Sequence, residues 1–136
     1  MGAVRVKVKI TNGSDEMLAR TGQLRPEDVR SYEGMALVDT GAVNNVIPAS
    51  VAKALGLPAL DRVNVKYADG RSEAVDEVGP LMLHLLDRHT IGGACVLGDE
   101  ILIGQIALEG TDLHVDCNNQ RLIPNPEHPD RPTFRV

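Results

Sequence analysis

The chain has 136 residues, of which 43% are hydrophobic and 24% charged, and its net charge is −5 at neutral pH. That length suits one domain burying about 68–70% of its unfolded surface, and the composition is that of a soluble globular protein, neither disordered nor membrane-spanning. Charges of both signs are mixed along the chain, Trp is absent, and Tyr32, Tyr67 and Phe134 are the only aromatics, which excludes a basic nucleic-acid face with stacking platforms.

Residues 3–11 alternate Val4, Val6, Val8 and Ile10 against Arg5, Lys7 and Lys9, the period-two pattern of a half-buried strand. This charged start is neither a secretory leader nor a transmembrane span, so a cytoplasmic protein is expected. Asn12-Gly13-Ser14-Asp15 ends the strand, and Glu16 to Glu27 reads as a long loop with a helical turn. From Val29 the chain resumes as a strand whose last part, Met35-Ala36-Leu37-Val38, is apolar on both faces and therefore central in a sheet.

That strand delivers Asp39-Thr40-Gly41-Ala42, a carboxylate followed by a hydroxyl and two small residues. A strand that feeds one aspartate into a tight turn is a means of holding a carboxylate beside a scissile bond. Taken by itself, the triplet is better read as a turn aspartate capping its own loop. After Val43–Ile47, the stretch Pro48–Gly56 predicts one short helix, with proline in its first turn, alanines inside and glycine past its end.

Val63–Tyr67 and Arg71–Val75 flank Asp69-Gly70, the strongest short-range signal for a hairpin. A two-residue loop there pairs Lys66 with Glu73 and Val65 with Ala74. Further strands are predicted at Leu81–Leu86, Ala94–Leu97, Ile101–Ile103, Leu113–Cys117 and Arg121–Ile123, the last two flanking an Asn118-Asn119 turn. Cys95 and Cys117 lie in apolar, strand-like segments without paired spacing and read as reduced, buried side chains. From Pro124, four prolines in nine residues predict an extended tail, so the chain divides into a domain at 1–126 and a tail at 127–136.

With Ala36-Leu37-Val38-Asp39-Thr40-Gly41-Ala42, the helix after Ile47, the Asp69-Gly70 hairpin and Ile101-Leu102-Ile103-Gly104, the chain resembles the retropepsin-like aspartic peptidases, in particular their bacterial single-domain members. The segments Asp112–Asp116 and Arg121–Pro124 resemble the family's closing strands, so the likeness covers roughly residues 3 to 126. It implies a mostly β, closed, barrel-like fold with one short helix, and an active site built from two copies. It also implies that Asp39 is catalytic and that Thr40 locks the two loops together. By the same likeness Gly41 and Ala42 meet substrate backbone, Tyr67, Ala68, Asp69 and Gly70 form a flap, and Ile103 and Gly104 support the loop. Asn45 stands where the family commonly has Ser or Thr, and Val43 and Asn44 replace polar or acidic residues of viral members.

Independently of the likeness, metal-free peptide hydrolysis needs one group to take a proton from water and another to give one to the carbonyl oxygen. Two carboxylates about 3 Å apart do both, because such close like charges share one proton. The chain offers one such loop, so a homodimer acting on an extended polypeptide is expected, with no cofactor, no metal, no nucleic acid and no membrane. A peptidase-like module that binds peptides or dimerises without useful catalysis is the alternative. Metal-assisted hydrolysis is the weaker third reading, since His84 and His89 are five apart and His114 with Asp116 lacks a third ligand.

Overall fold

The computed structural model describes residues 3–136 and is dominated by strands. Strand β1 (Val4–Asn12) runs antiparallel to β2 (Ser31–Val38) along its length, from Val4↔Val38 to Thr11↔Ser31. Its far end pairs on the other side with β5 (Ser72–Leu85), from Lys9↔His84 to Asn12↔Leu81. Between them, β7 (Ile101–Ile103) lies parallel to β2, β3 (Asn45–Ile47) joins β7 to β6 (Arg88–Val96), and β6 pairs with β5. The order β1-β2-β7-β3-β6-β5 thus returns to β1 and closes a six-stranded barrel. Closure removes the open sheet edges that would otherwise invite pairing with other chains.

The barrel is filled by the inward positions of these strands. Val8, Ile10, Ala36, Ile47, Leu81, Leu83, Leu85, Ile101 and Ile103 form one buried cluster, joined by Leu55, Leu108, Leu113 and Leu122 from outside the ring. The alternation of β1 lapses at Thr11 and Asn12, both buried, because a helix covers the second face there.

That helix, α1 (Gly13–Arg20), fills the stretch expected to be a loop. Asn12 ends the strand and caps the helix: its Oδ1 accepts from Asp15 N at 3.0 Å, and its Nδ2 donates to Leu55 O at 2.8 Å. Asp15 in turn accepts from Arg30 Nε at 2.8 Å and Nη2 at 3.1 Å, which holds its carboxyl below the usual carboxylate range and ties the insertion to the start of β2. The expected short helix is present as α2 (Ala49–Ala54), with Gly56 past its end at φ +61°. A third, α3 (Gln105–Thr111), follows β7, so among the described residues the barrel carries three α-helices where one was expected.

Strand β4 (Ala59–Lys66) pairs only with the first half of β5, and the two project from the barrel as a hairpin. Its register differs from expectation by one residue: Lys66 faces Ser72 and Val65 faces Glu73. The loop has three residues, because Tyr67 N donates to Arg71 O at 2.8 Å, Gly70 N donates to Tyr67 O at 2.9 Å, and Gly70 sits at φ +90°. This is a tight turn followed by a left-handed glycine, and Asp69 stabilises it by accepting from Arg71 N and Nε at 3.0 and 2.7 Å. The segments expected separately at 71–75 and 81–86 are one strand, β5, with a register irregularity between Val78 and Leu81 at Gly79-Pro80. It turns into β6 through Leu86-Asp87, where Leu86 adopts φ +54°.

Strands β8 (Leu113–Asp116) and β9 (Arg121–Pro124) form a separate antiparallel pair whose Leu113 and Leu122 close one end of the core. Cys95 is buried on β6, but Cys117 is exposed, because the chain turns one residue earlier than expected and puts it in the loop after β8.

The tail is stitched back onto the barrel. Asp112, at φ +54° beyond α3, accepts from Asn125 Nδ2 at 3.0 Å and Thr133 N at 3.1 Å, and lies 2.7 Å from His128 Nδ1. Beneath it the buried Arg88 donates to the carbonyls of Thr111, Asp112 and His128. Chiefly through Asn125, and then Thr133, this network lowers the Asp112 carboxyl to about 2. A depressed carboxyl stabilises the fold fully above its unfolded value of 3.8, and that contribution disappears as the pH falls towards about 2. Urea titrations through this window should therefore show a shallower acid loss for Asp112→Asn than for the parent chain, and limited proteolysis should cut the variant's tail first.

Candidate active site

The Asp39 turn is suspended from a parallel ladder. Ala36, Leu37 and Val38 of β2 pair with Ile101, Leu102 and Ile103 of β7, and Asp39 N extends the ladder by donating to Ile103 O at 2.9 Å. The paired segments are apolar on both faces, as a central parallel pair requires. The chain then reverses: Ala42 N donates to Asp39 O at 3.2 Å, and Gly41 N donates to Asp39 Oδ1 at 3.0 Å. One carboxylate oxygen is thereby fixed by its own loop, and Oδ2 has no protein partner among the described residues.

The far side of the loop is held by the start of α3. The first N–H groups of a helix have no partner within it. Here Gln105 N donates to Ala42 O at 2.8 Å and Ile106 N to Val43 O at 3.1 Å. Gly104 makes this approach possible, since a Cβ there would lie 2.5 Å from Asn44 O, 2.7 Å from Asn44 C and 2.8 Å from Val43 O. Its φ is −92°, so the requirement is space and not backbone conformation.

Asn45 completes the support. Its side chain is buried, with Oδ1 accepting from Gly104 N at 3.1 Å and Nδ2 donating to Gly93 O on β6 at 3.4 Å. A Ser or Thr hydroxyl is too short to span both neighbours, whereas the amide joins the loop, the β7–α3 corner and β6 in one contact.

The structure thus brings Asp39, Thr40, Gly41 and Ala42 together with Ile103 and Gly104. Asp39 and Ala42 are half-buried, and Thr40 and Gly41 are exposed. Tyr67, Ala68, Asp69 and Gly70 lie apart, at the tip of the β4–β5 hairpin. Among the described residues no hydrogen bond joins that tip to the Asp39 turn, and Tyr67 instead donates its hydroxyl to Glu73 at 2.6 Å while Arg71 stacks on its ring. The root of the hairpin is close to the site: Glu77 and Val78 pair with Cys95 and Ala94 of β6, whose other edge pairs with Asn45 to Ile47.

Residues 26–81 match the family model described as aspartyl protease. This match supports a retropepsin-like aspartyl protease family for the chain. The matched stretch holds β2, the Asp39 turn, α2 and the β4–β5 hairpin, and it supports a peptidase-like, hydrolytic function. No curated protein matches the chain. Within this protease fold, sequence reasoning missed α3 and its donation to the loop, although Gln105-Ile106-Ala107-Leu108-Glu109 is a run of good helix formers that buries Ala107, Leu108 and Thr111 on one face.

The brace yields a sharp expectation for stability. Gly104→Ala drives a methyl into backbone that cannot move independently, and should cost about 1–3 kcal/mol. Asn45→Ala leaves the buried Gly104 N–H without its acceptor and should cost a similar amount, about 1–3 kcal/mol. Urea midpoints of the two variants and of the double variant measure both, with sub-additive losses if they act on one contact.

Proposed function

We propose that this protease is an aspartic endopeptidase whose catalytic dyad forms between the Asp39 carboxylates of two identical chains. The observation that carries the reading is a single half-buried aspartate, held by backbone on both sides, at the surface of a closed barrel. Beside it Val43 and Ile106 are 64% and 53% exposed and joined through Ile106 N to Val43 O, an apolar patch that a second copy would cover.

In the dimer the two carboxylates share one proton. The ionised Asp39 takes a proton from water as the water oxygen attacks the peptide carbonyl, and the protonated Asp39 donates to the carbonyl oxygen. The resulting tetrahedral centre collapses with transfer of a proton to the leaving amine. Their titration belongs to the pair. Thr40, exposed at the turn, bridges the two loops, and Gly41 offers its carbonyl to the substrate backbone. The 67–70 tip closes over an extended polypeptide, which binds by strand addition. No cofactor is required. The reading includes a cytoplasmic setting, in which the free thiols of Cys95 and Cys117 stay reduced.

Two measurements test this. Sedimentation should show a reversible dimer, and Asp39→Asn should leave it intact while cutting hydrolysis of an unfolded protein substrate by about 10²–10⁴-fold or more, with a bell-shaped acid-side pH profile in the parent. A strict monomer, or an Asp39→Asn chain that still turns over, defeats the dyad. Peptide binding with no hydrolysis at any pH points instead to a peptidase-like binding module.

A further inference from the structure

Beyond the loop, the barrel contains a hollow of about 160 Å³ that the dyad does not use. Its floor is Leu81 and Leu83, each 1% exposed, and its walls include Ile106 at the start of α3. Asn44 and Asn45, where the Asp39 turn ends, line it together with Glu77 at the hairpin root. Glu77 is the one charged residue lining it, and among the described residues its carboxylate has no ion-pair or hydrogen-bond partner. The neighbouring Asp76, by contrast, is bound by Arg62 at 3.0 Å.

A second observation concerns Gly92 in the middle of β6. A glycine inside a strand weakens it and marks a close approach by backbone or ligand. No backbone crowds this one, since an added Cβ would meet nothing within 4 Å. Gly92 pairs with Leu81, and cross-strand partners share a face, so the missing side chain is space kept open above the hollow's floor.

We propose that this hollow is a specificity subsite that takes a basic side chain of the polypeptide substrate, with Glu77 as the residue that selects it. The proposal rests on the proteolytic reading for its location beside the cleavage site. A lysine or arginine fits the hollow's chemistry: the methylene stem lies along Leu81 and Leu83 and the cationic head meets the unpaired carboxylate. A glutamate there would face Glu77 without a compensating cation, and a neutral polar side chain would forgo the ion pair. The chain's net charge of −5 favours the approach of the same substrates.

The test is a lysine walk, in which Lys, Gln and Glu are placed in turn at each position of a neutral peptide of about ten residues that spans one cleaved bond. At one position Lys should exceed Gln by about tenfold in kcat/KM. Glu77→Gln should erase that preference, Glu77→Lys should transfer it to Glu, and Gly92→Leu should raise KM for the lysine peptide with little change in kcat. The same peptides are titrated calorimetrically into the Asp39→Asn dimer, with and without Glu77→Gln, so that the subsite is judged by affinity even if the parent chain cleaves nothing. In that case the dyad fails and the subsite stands or falls by binding alone. A lysine preference that survives Glu77→Gln, or no preference at any position in either assay, overturns the proposal.

Discussion

Everything in the site hangs on how closely the backbone at Gly104 approaches the backbone at Val43 and Asn44. The parallel β2–β7 ladder brings the two segments alongside, and the absent side chain lets the start of α3 reach the loop carbonyls. Once there, helix N–H groups that would otherwise need water satisfy the loop, and the loop satisfies the helix. The Asp39 carboxylate is therefore positioned by main chain almost entirely, and main chain within a packed barrel has little freedom to drift.

The lateral supports follow from that contact. Asn45 passes the position of the loop to β6, β6 passes it to the root of the hairpin, and the hairpin projects from the barrel. The proposed peptidase mechanism, with a flap that closes over a carboxylate that stays in place, would use this division. From Ser72 to Asp76, β5 pairs only with β4 and is exposed except at Val75, whereas its second half is clamped between β1 and β6. A single strand supplies both the projecting and the clamped part.

Much of this was legible in the residues. The alternation of β1, the apolar runs of β2 and β7, the Pro48–Gly56 helix and the pairing of Asp39 with a distant apolar-apolar-glycine all reflect local chemistry that tertiary structure had no reason to override. What escaped notice was set by partners far along the chain or by ambiguous turn chemistry. Asn12-Gly13-Ser14-Asp15 has the composition of a turn, and the cap of Asn12 on Asp15 N, with the reach of Asn12 to Leu55 and of Asp15 to Arg30, makes it a helix start. Asp69-Gly70 signals a hairpin without stating its loop length, and the Asp69–Arg71 contacts decide for three residues. Leu86 at φ +54° hides the β5–β6 turn, because a bulky side chain there is the opposite of a turn signal. Asn45 invited suspicion as a departure from the common residue, and the structure gives it two bonds where a hydroxyl has reach for one. Glu77 carried no signal, since an acid in a hairpin is ordinarily solvated.

The stretch that bears the family resemblance, residues 26–81, is not a self-sufficient folding unit. It contains β2 and β3, yet β7, which lies between them, comes 20 residues after its end (101 − 81), and β1 precedes its start. The ring can be sealed only after synthesis has passed Ile103, so the nascent polypeptide must carry its aspartate turn with unpaired strands on either side until then. Pairings this distant carry a large loop-closure entropy and form slowly. For as long as the ring stays open, β2 is an apolar edge exposed to every neighbouring molecule, and the interval before closure is when this chain is most vulnerable to aggregation.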